Sequence, residues 1–362
     1  MKAAVLNSVP GRLDIEDVQI DSPGPREVLI QTKAAGLCHS DLHFMEGSYP
    51  HPCPTVLGHE SAGIVLEVGS DVDYVEAGDH VITCLSAFCG HCERCLAGFP
   101  STCMNKNTEL VRKPGRPPRL SRAGEDIHHF LHLSSFAEQM LVHEHALVKI
   151  NKDMPFDKAA LIGCGVTTGL GAVFRTAKVE PGSTVVVVGC GGIGLSAVQG
   201  ARIAGANRVV AVDMVSSKLE LAQQLGATHV IDAGKVDAVE AVKEMTDGLG
   251  VPYAFEAVGT KTTAEQCFKM LGRGGKAVVI GLIPVGTMIE VHGVELIDEK
   301  TLTGSNMGSN QFRTDMPRFV DMYLDGRLKL DEMVSKTITL DEINEGFDEM
   351  KTGKVARSVI VF

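Results

Sequence analysis

A thiol, three imidazoles and two carboxylates stand close together near the N-terminus. The stretch Gly36-Leu37-Cys38-His39-Ser40-Asp41-Leu42-His43 is followed fifteen residues later by Gly58-His59-Glu60. Cysteine thiolate and neutral imidazole suit zinc, a borderline-soft ion that favours four ligands. Cys38 and His59 alone do not hold such an ion securely, so a third donor must come from elsewhere. Cys164 is the best candidate. It lies among small residues in Gly163-Cys164-Gly165-Val166-Thr167-Thr168-Gly169, which reads as a strand or loop leading into a helix. Three protein ligands leave a fourth position for water or substrate, the arrangement of a catalytic zinc. The competing reading of the pair is a buried free cysteine beside a satisfied histidine.

A second set follows the spacing C-x2-C-x2-C-x7-C, at Cys89, Cys92, Cys95 and Cys103. Four thiolates complete a tetrahedral shell with no open position, which makes a structural zinc that fixes a loop lacking a core of its own. Disulfides would need an oxidising compartment. An iron–sulfur cluster also uses four cysteines, and spacing alone does not separate it from zinc. Cys53, Cys84, Cys190 and Cys267 lack partners at ligand spacing and read as packed thiols. His128, His129 and His132 resemble a metal cluster, but neighbouring residues of a strand point to opposite faces.

The third constellation binds a nucleotide. Thr184–Val188 is a continuous apolar run suited to a buried parallel strand, and Gly189-Cys190-Gly191-Gly192-Ile193-Gly194 then opens a helical pattern. The glycines of G-x-G-x-x-G allow a tight turn, close approach of backbone to a pyrophosphate, and close helix packing. The helix N-terminus favours the anion. Residues 208–212 form the next strand and end at Asp213, nineteen residues past Gly194. That carboxylate can accept both hydroxyls of an adenosine ribose and would repel a 2′-phosphate, so NAD is favoured over NADP.

Two kinds of scaffold must position these groups. Before residue 165, short strands such as 28–32, 61–68 and 81–83 alternate with glycine and proline turns, which suggests a barrel-like β domain. Residues 104–132 are polar and basic and read as a long surface loop. Beyond residue 180, strands at 229–231, 253–255 and 277–280 alternate with helical patterns near 215–225, 236–246 and 261–271, the pattern of a doubly wound parallel sheet. After residue 305, helices at 316–324 and 340–350 and a strand at 357–362 are expected to rejoin the first domain. The expected boundaries are 1–165 for the catalytic domain with a zinc lobe at 86–104, 166–305 for the nucleotide domain, and 306–362 for the return.

The chain has 362 residues, comfortable for two domains, and a net charge of 34 − 45 = −11. That balance disfavours nucleic acid and anionic membrane as partners. The N-terminus does not read as a signal peptide, and no run of eighteen apolar residues occurs. Ten cysteines without an export signal point to metal or thiol chemistry, and a cytoplasmic protein is expected.

With these motifs in one order along nearly the whole length, the chain resembles the zinc-containing medium-chain alcohol dehydrogenases. The tail Ile343-Asn344-Glu345-Gly346-Phe347 adds to the match, and residues 104–132 are similar to the longer horse-liver and glutathione-dependent formaldehyde dehydrogenase branches. The resemblance implies an α/β architecture, with a doubly wound parallel Rossmann sheet inserted in a mainly β, barrel-like (GroES-like) catalytic domain. It implies a catalytic zinc on Cys38, His59 and Cys164, a structural zinc on Cys89, Cys92, Cys95 and Cys103, and NAD as hydride carrier. Glu60 would lie behind the metal, and Asp41 would orient a ligating histidine. Ser40 would take the alcohol proton, and His43 would pass it to solvent through a cofactor ribose hydroxyl. Thr168 would contact the nicotinamide or its ribose. Gly189, Gly191, Gly192, Ile193 and Gly194 would line the dinucleotide, Asp213 and Lys218 would hold the adenosine ribose, and His39 and Arg357 the pyrophosphate. Leu85, Phe130, Leu131 and Leu282 would line an apolar pocket. The expected reaction joins a primary aliphatic or aromatic alcohol and its aldehyde. The alternative is S-(hydroxymethyl)glutathione, for whose carboxylates Arg112, Arg116 and Arg119 could offer positive charge. A zinc-free regulatory or structural relative is the third reading, and retention of the zinc donors argues against it. The expected assembly is a homodimer, with a homotetramer as the alternative.

Overall fold

The computed structural model describes residues 1–113, 115–353 and 356–362; Pro114, Lys354 and Val355 lie outside the described residues. The chain forms two compact units, one of Met1–Cys164 with Gln311–Phe362 and one of Gly165–Asn310. The first is the barrel-like β domain and the second a doubly wound parallel sheet, the fold class that the alternation of elements anticipates.

The long strand Glu27–Gly36 organises the first unit. It pairs antiparallel with Ser61–Val68, with Gln139–His143 and with the C-terminal strand Ser358–Val361. Its apolar face, with Val28 and Ile30 fully buried, packs among Val65, Val81, Met140 and Val142. The register slips between Leu29 and Ile30 and between Thr32 and Ala34 against Ser61–Val68. Such bulges bend a strand and re-aim the residues beyond it, in this case Leu37 and Cys38. Val359 lies opposite Gly36, and Leu37 N donates to Ser358 O at 3.0 Å. The last strand of the chain thereby braces the first metal-donor segment. A second sheet runs in the order Leu13–Asp17, Lys2–Leu6, Thr55–Val56, Glu125–His129, Leu120–Arg122 and Gln19–Ile20.

Two sequence expectations need correction here. Residues 104–132 are not a featureless surface loop. They hold a helical turn at Lys106–Glu109 and a hairpin, Leu120–Arg122 with Glu125–His129, whose second strand joins Thr55–Val56. The hairpin is anchored by charge. Glu27 Oε1 accepts from Arg119 Nε at 2.7 Å and Glu27 Oε2 from Arg112 Nη2 at 2.6 Å, with all three side chains largely buried. Arg112 also meets Asp21, and Arg119 Nη2 donates to Leu110 O. Glu27 and these arginines lie far apart in sequence, beyond the reach of local pattern. The second correction concerns Cys164. It does not follow a strand or loop. It sits inside a helical run from Phe156 to Ala177, in a π-helical turn at Ile162–Val166. Its glycines permit close packing: a Cβ on Gly163 would lie 3.0 Å from Thr83 O. By length and composition this helical run is apolar enough to cross a membrane, but 83 % of its most apolar stretch is buried in the protein.

In the second unit the parallel strands run in the order His229–Asp232, Arg208–Asp213, Thr184–Val188, Val251–Glu256, Leu271–Val279 and Thr301–Gly304. The order reverses between Thr184–Val188 and Val251–Glu256. That is the switch point, where ligands bind beyond the carboxyl ends of the strands. Val185, Val186 and Val187 are fully buried, as a strand covered on both faces requires.

The Glu27 cluster yields a stability prediction. Burial alone would raise the Glu27 carboxyl, but Arg112 and Arg119 hold it down at about 2 against an ordinary 4.5. A depressed carboxylate contributes stability above its unfolded value and loses it as pH falls through the folded one. Glu27→Gln should cost roughly 3–5 kcal/mol, because two buried guanidiniums lose their partner. It should also flatten the loss of stability between pH 4.5 and 2. Thermal unfolding of both proteins across that range checks it, and an unchanged acid limb would count against the cluster.

Candidate active site

Cys38 Sγ, a ring nitrogen of His59 and Cys164 Sγ lie within 4.8 Å of one another in the first unit, and the three residues are 3 %, 1 % and 4 % exposed. Cys38 ends the segment after Glu27–Gly36 and precedes the helix His39–Met45. His59 follows Gly58, whose φ of +91° and lack of space decide its identity: a Cβ there would lie 2.6 Å from Ser135 Oγ and 2.7 Å from Phe136 N. The π-helical turn supplies Cys164, and such turns often occur at functional positions.

Asp41 sets the direction of the imidazole. Its Oδ1 accepts from His59 Nδ1 at 3.0 Å and from Gly58 N at 3.1 Å. Nδ1 is thus occupied, which leaves Nε2 as the ligand atom beside the two thiols. Burial disfavours charge on His59, but the carboxylate of Asp41 and then Cys38 raise its pKa well above the usual imidazole range. The hydrogen bond with Cys164 holds the Cys38 thiol well below its ordinary range, while the same bond and burial push Cys164 well above it. Thiolate, carboxylate and imidazole are gathered in the protein interior, and Asp41 Oδ2 has no hydrogen-bond partner among the described residues. This donor set fits a zinc ion with one coordination position left over.

The other expected residues surround this group. Glu60 is fully buried, and Arg357 Nη1 lies 3.3 Å from Glu60 Oε2 while donating to Leu37 O at 2.9 Å. Burial opposes the charge of Arg357; Glu60, Cys38 and Cys164 outweigh it. The family resemblance implies a pyrophosphate contact for Arg357; its pairing with Glu60 has no sequence signal, because only the register of the last strand creates it. Ser40 Oγ lies 3.7 Å from Cys38 Sγ. His43 is half-buried on the same helix, its ring centroid 6.2 Å from that of Tyr49, and His39 is exposed at the helix start. Phe130 stands edge-on to His59 at 6.2 Å, to Phe44 at 4.8 Å and to His51 at 5.2 Å. Phe44 and His51 carried no sequence signal; aromatic residues near a metal donor would have been the hint. His129 pairs with Arg119 Nη1 at 3.3 Å and joins no metal donor group among the described residues.

Cys89, Cys92, Cys95 and Cys103 form the second donor set, with Sγ separations of 3.4 Å for Cys92–Cys95 and 3.9 Å for Cys89–Cys95 and Cys92–Cys103. Backbone N–H groups aim at two of the sulfurs: Cys89 N donates to Cys103 Sγ and Cys92 N to Cys89 Sγ. Backbone hydrogen bonds bring Cys92 down to about 6, whereas burial sends Cys95 up to about 12. The apolar cluster here consists of these cysteines and Phe88. A lobe with so little apolar packing draws its folding energy from the metal.

In the second unit the helix Gly192–Ile203 begins after the glycine turn. Gly189 has φ +95°, and a Cβ on Gly194 would lie 1.7 Å from Gly189 O, so the turn and helix touch through backbone alone. Gly191, Gly192 and Ile193 complete the turn and helix start. Asp213 ends its strand and ties the turn together: Oδ2 accepts from Cys190 N at 2.7 Å, and Oδ1 from Met214 N at 2.8 Å and Val215 N at 3.0 Å. Thr168 Oγ1 bonds Met307 Sδ at 3.3 Å, and Lys218 stands in the helix Ser216–Gln224 after Asp213.

Two family models match the chain. One describes an alcohol dehydrogenase GroES-like domain over residues 24–152, and the other a zinc-binding dehydrogenase over residues 192–323. The chain is 37 % identical to "Alcohol dehydrogenase class-3" of Cereibacter sphaeroides, covering 100 % of this chain and 99 % of that one. It is also 37 % identical to the S-(hydroxymethyl)glutathione dehydrogenase of Paracoccus denitrificans, with the same coverage. Among solved structures it is similar to benzyl alcohol dehydrogenase from Acinetobacter calcoaceticus, at 35 % identity and TM-score 0.94, covering 100 % and 99 % of the two chains.

The two donor sets should fail differently. Cys164→Ser should abolish turnover, leave about one zinc per chain and change the melting temperature little. Cys95→Ser should lower it by on the order of 10 °C, since a structural zinc contributes folding energy. Metal content, calorimetry and activity of both variants check this. Equal losses of stability, with activity kept in the first, would defeat the division.

Proposed function

The chain belongs to the zinc-containing medium-chain alcohol dehydrogenases, and on that premise we propose that it oxidises the hydroxymethyl carbon of S-(hydroxymethyl)glutathione with NAD. The enzyme class is a zinc-dependent alcohol dehydrogenase whose cofactors are zinc and a nicotinamide dinucleotide. The observation that carries the activity is the buried donor set of Cys38, His59 and Cys164 with one coordination position left over. The names of the relatives from Cereibacter sphaeroides and Paracoccus denitrificans support the glutathione adduct as substrate.

When bound, zinc supplies a Lewis acid for the alcohol oxygen and the dinucleotide supplies the hydride acceptor. The rest falls to side chains. Asp41 holds His59 in the tautomer that presents Nε2. Ser40 Oγ, beside Cys38 Sγ, receives the alcohol proton. His43, half-buried on the same helix, carries it towards solvent. Asp213 keeps lone pairs for the ribose hydroxyls while its backbone bonds shape the glycine turn. Its charge disfavours a 2′-phosphate and supports NAD over NADP.

A specific observation favours a second reading, a primary aromatic or aliphatic alcohol. Of the three charges that sequence offered for a glutathione carboxylate, Arg112 and Arg119 are spent on Glu27, while Arg116 is exposed. The aromatic group of Phe44, His51 and Phe130 beside His59 suits an apolar substrate. Steady-state rates with formaldehyde plus glutathione, and with benzyl alcohol, decide between them. A kcat/KM at least tenfold higher for the adduct supports the first reading; the reverse order supports the second. Asp213→Asn should lower the NAD over NADP preference about tenfold or more, the worth of a charge-assisted hydrogen bond. A parent enzyme that prefers NADP would overturn the role of Asp213.

A further inference from the structure

One buried acid takes part in none of the chemistry above. Glu256 is the last residue of the central strand Val251–Glu256 and is fully buried. No cation among the described residues pairs with it. A carboxylate without a cation is expensive to bury, so it must be stabilised by hydrogen bonds. Its Oε1 accepts three: from Val258 N at 2.9 Å, Gly259 N at 2.7 Å and Thr263 Oγ1 at 2.7 Å. Its Oε2 is buried without a hydrogen-bond partner among the described residues.

The place of this carboxylate gives it a function. Glu256 lies opposite Val188, the residue before the glycine turn, and Ala257 N donates to Val188 O at 2.8 Å. A Cβ on Gly189 would lie 2.6 Å from Val258 Cγ2, so the 257–259 loop bears directly on the turn. On the other side, Ile280 N and Gly281 N both donate to Glu256 O. A Cβ on Gly281 would meet Glu256 Oε2 at 2.6 Å and Gly259 N at 2.2 Å. The side chain of Glu256 thus holds the 257–259 loop, its backbone carbonyl holds the 280–282 loop, and Gly281 packs against its Oε2, at the switch point of the sheet. The two loops present Val258 and Leu282, 50 % and 41 % exposed, at the carboxyl edge where a dinucleotide lies.

We infer that Glu256 is a positioning residue of the dinucleotide site: its carboxylate fixes the 257–259 backbone, and through it the glycine turn and the wall formed by Val258 and Leu282. The inference rests on the dinucleotide reading above. Cofactor affinity then depends on a side chain buried beneath the loops that would line the cofactor. Glu256→Ala removes the acceptor for three donors. Glu256→Gln keeps an acceptor oxygen. Thr263→Ala removes one donor and leaves the acid.

The test uses the zinc-loaded enzyme. NADH affinity is read by fluorescence titration, alongside zinc content, melting temperature and the separate KM values for NAD and alcohol. Glu256→Ala should raise the NADH Kd and the KM for NAD about tenfold, with two zincs per chain and an alcohol KM within twofold of the parent. Glu256→Gln should stay within about threefold, and Thr263→Ala should weaken NADH about two- to threefold. A folded Glu256→Ala with parental NADH affinity overturns the inference, even if its melting temperature falls. Should that variant not fold, parental affinity in both Glu256→Gln and Thr263→Ala overturns it equally. If the parent itself binds no NADH, the dinucleotide reading fails, a result distinct from failure of the Glu256 role.

Discussion

The hydrogen bond between Asp41 and His59 is the contact on which the metal site depends. A carboxylate with no exposure, 3.0 Å from an imidazole nitrogen, does three things at once. It fixes the ring plane, it fixes which nitrogen faces the thiols, and it raises the basicity of that nitrogen. The same oxygen accepts from Gly58 N, which locks the turn that delivers His59. Orientation of the ligand and conformation of its backbone are thus one constraint. A serine or asparagine at position 41 would keep a hydrogen bond but lose the charge that makes the nitrogen a better donor.

So much negative charge in one buried place needs counterweight before any metal arrives. Arg357 provides it, buried beside Glu60 and tied to Leu37 O. It reaches that place because the final strand pairs with Glu27–Gly36 in a register that sets Val359 opposite Gly36. A slip of one residue would turn Arg357 away, since successive residues of a strand face opposite sides. The two ends of the first unit's sequence are therefore coupled by electrostatics as well as by sheet hydrogen bonds.

A comparable device holds the 104–132 segment. Glu27, at the start of the same strand, binds two guanidiniums of a segment rich in glycine, proline and charge. Buried ion pairs add little net stability over an apolar pair, but they are costly to break and specific in geometry. Here they select one arrangement for a stretch whose composition alone suits a solvated loop. In the second unit Glu256 plays a similar part with neutral donors, its side chain holding the 257–259 loop and its backbone carbonyl the 280–282 loop.

What the sequence determined by itself was everything written in local order. The spacing of four cysteines, the glycine turn between an apolar strand and a helix, and Asp213 at the end of the next strand each arise from short-range geometry. They could be read from Cys89 to Cys103 and from Thr184 to Asp213 without knowing the fold. The alternation of elements was enough to give the fold class. Tertiary structure decided the rest. The π-helical setting of Cys164 was hidden because its glycines mimic a loop, while their real use is close backbone packing. The pairing of Arg357 with Glu60, the capture of Arg112 and Arg119 by Glu27, and the gathering of loops on Glu256 join residues that no periodicity links. Two depend on pairing across long stretches of chain, and the third on a buried acid whose donors are mostly backbone N–H groups. Backbone donors leave no mark in a sequence, because every residue but proline carries one.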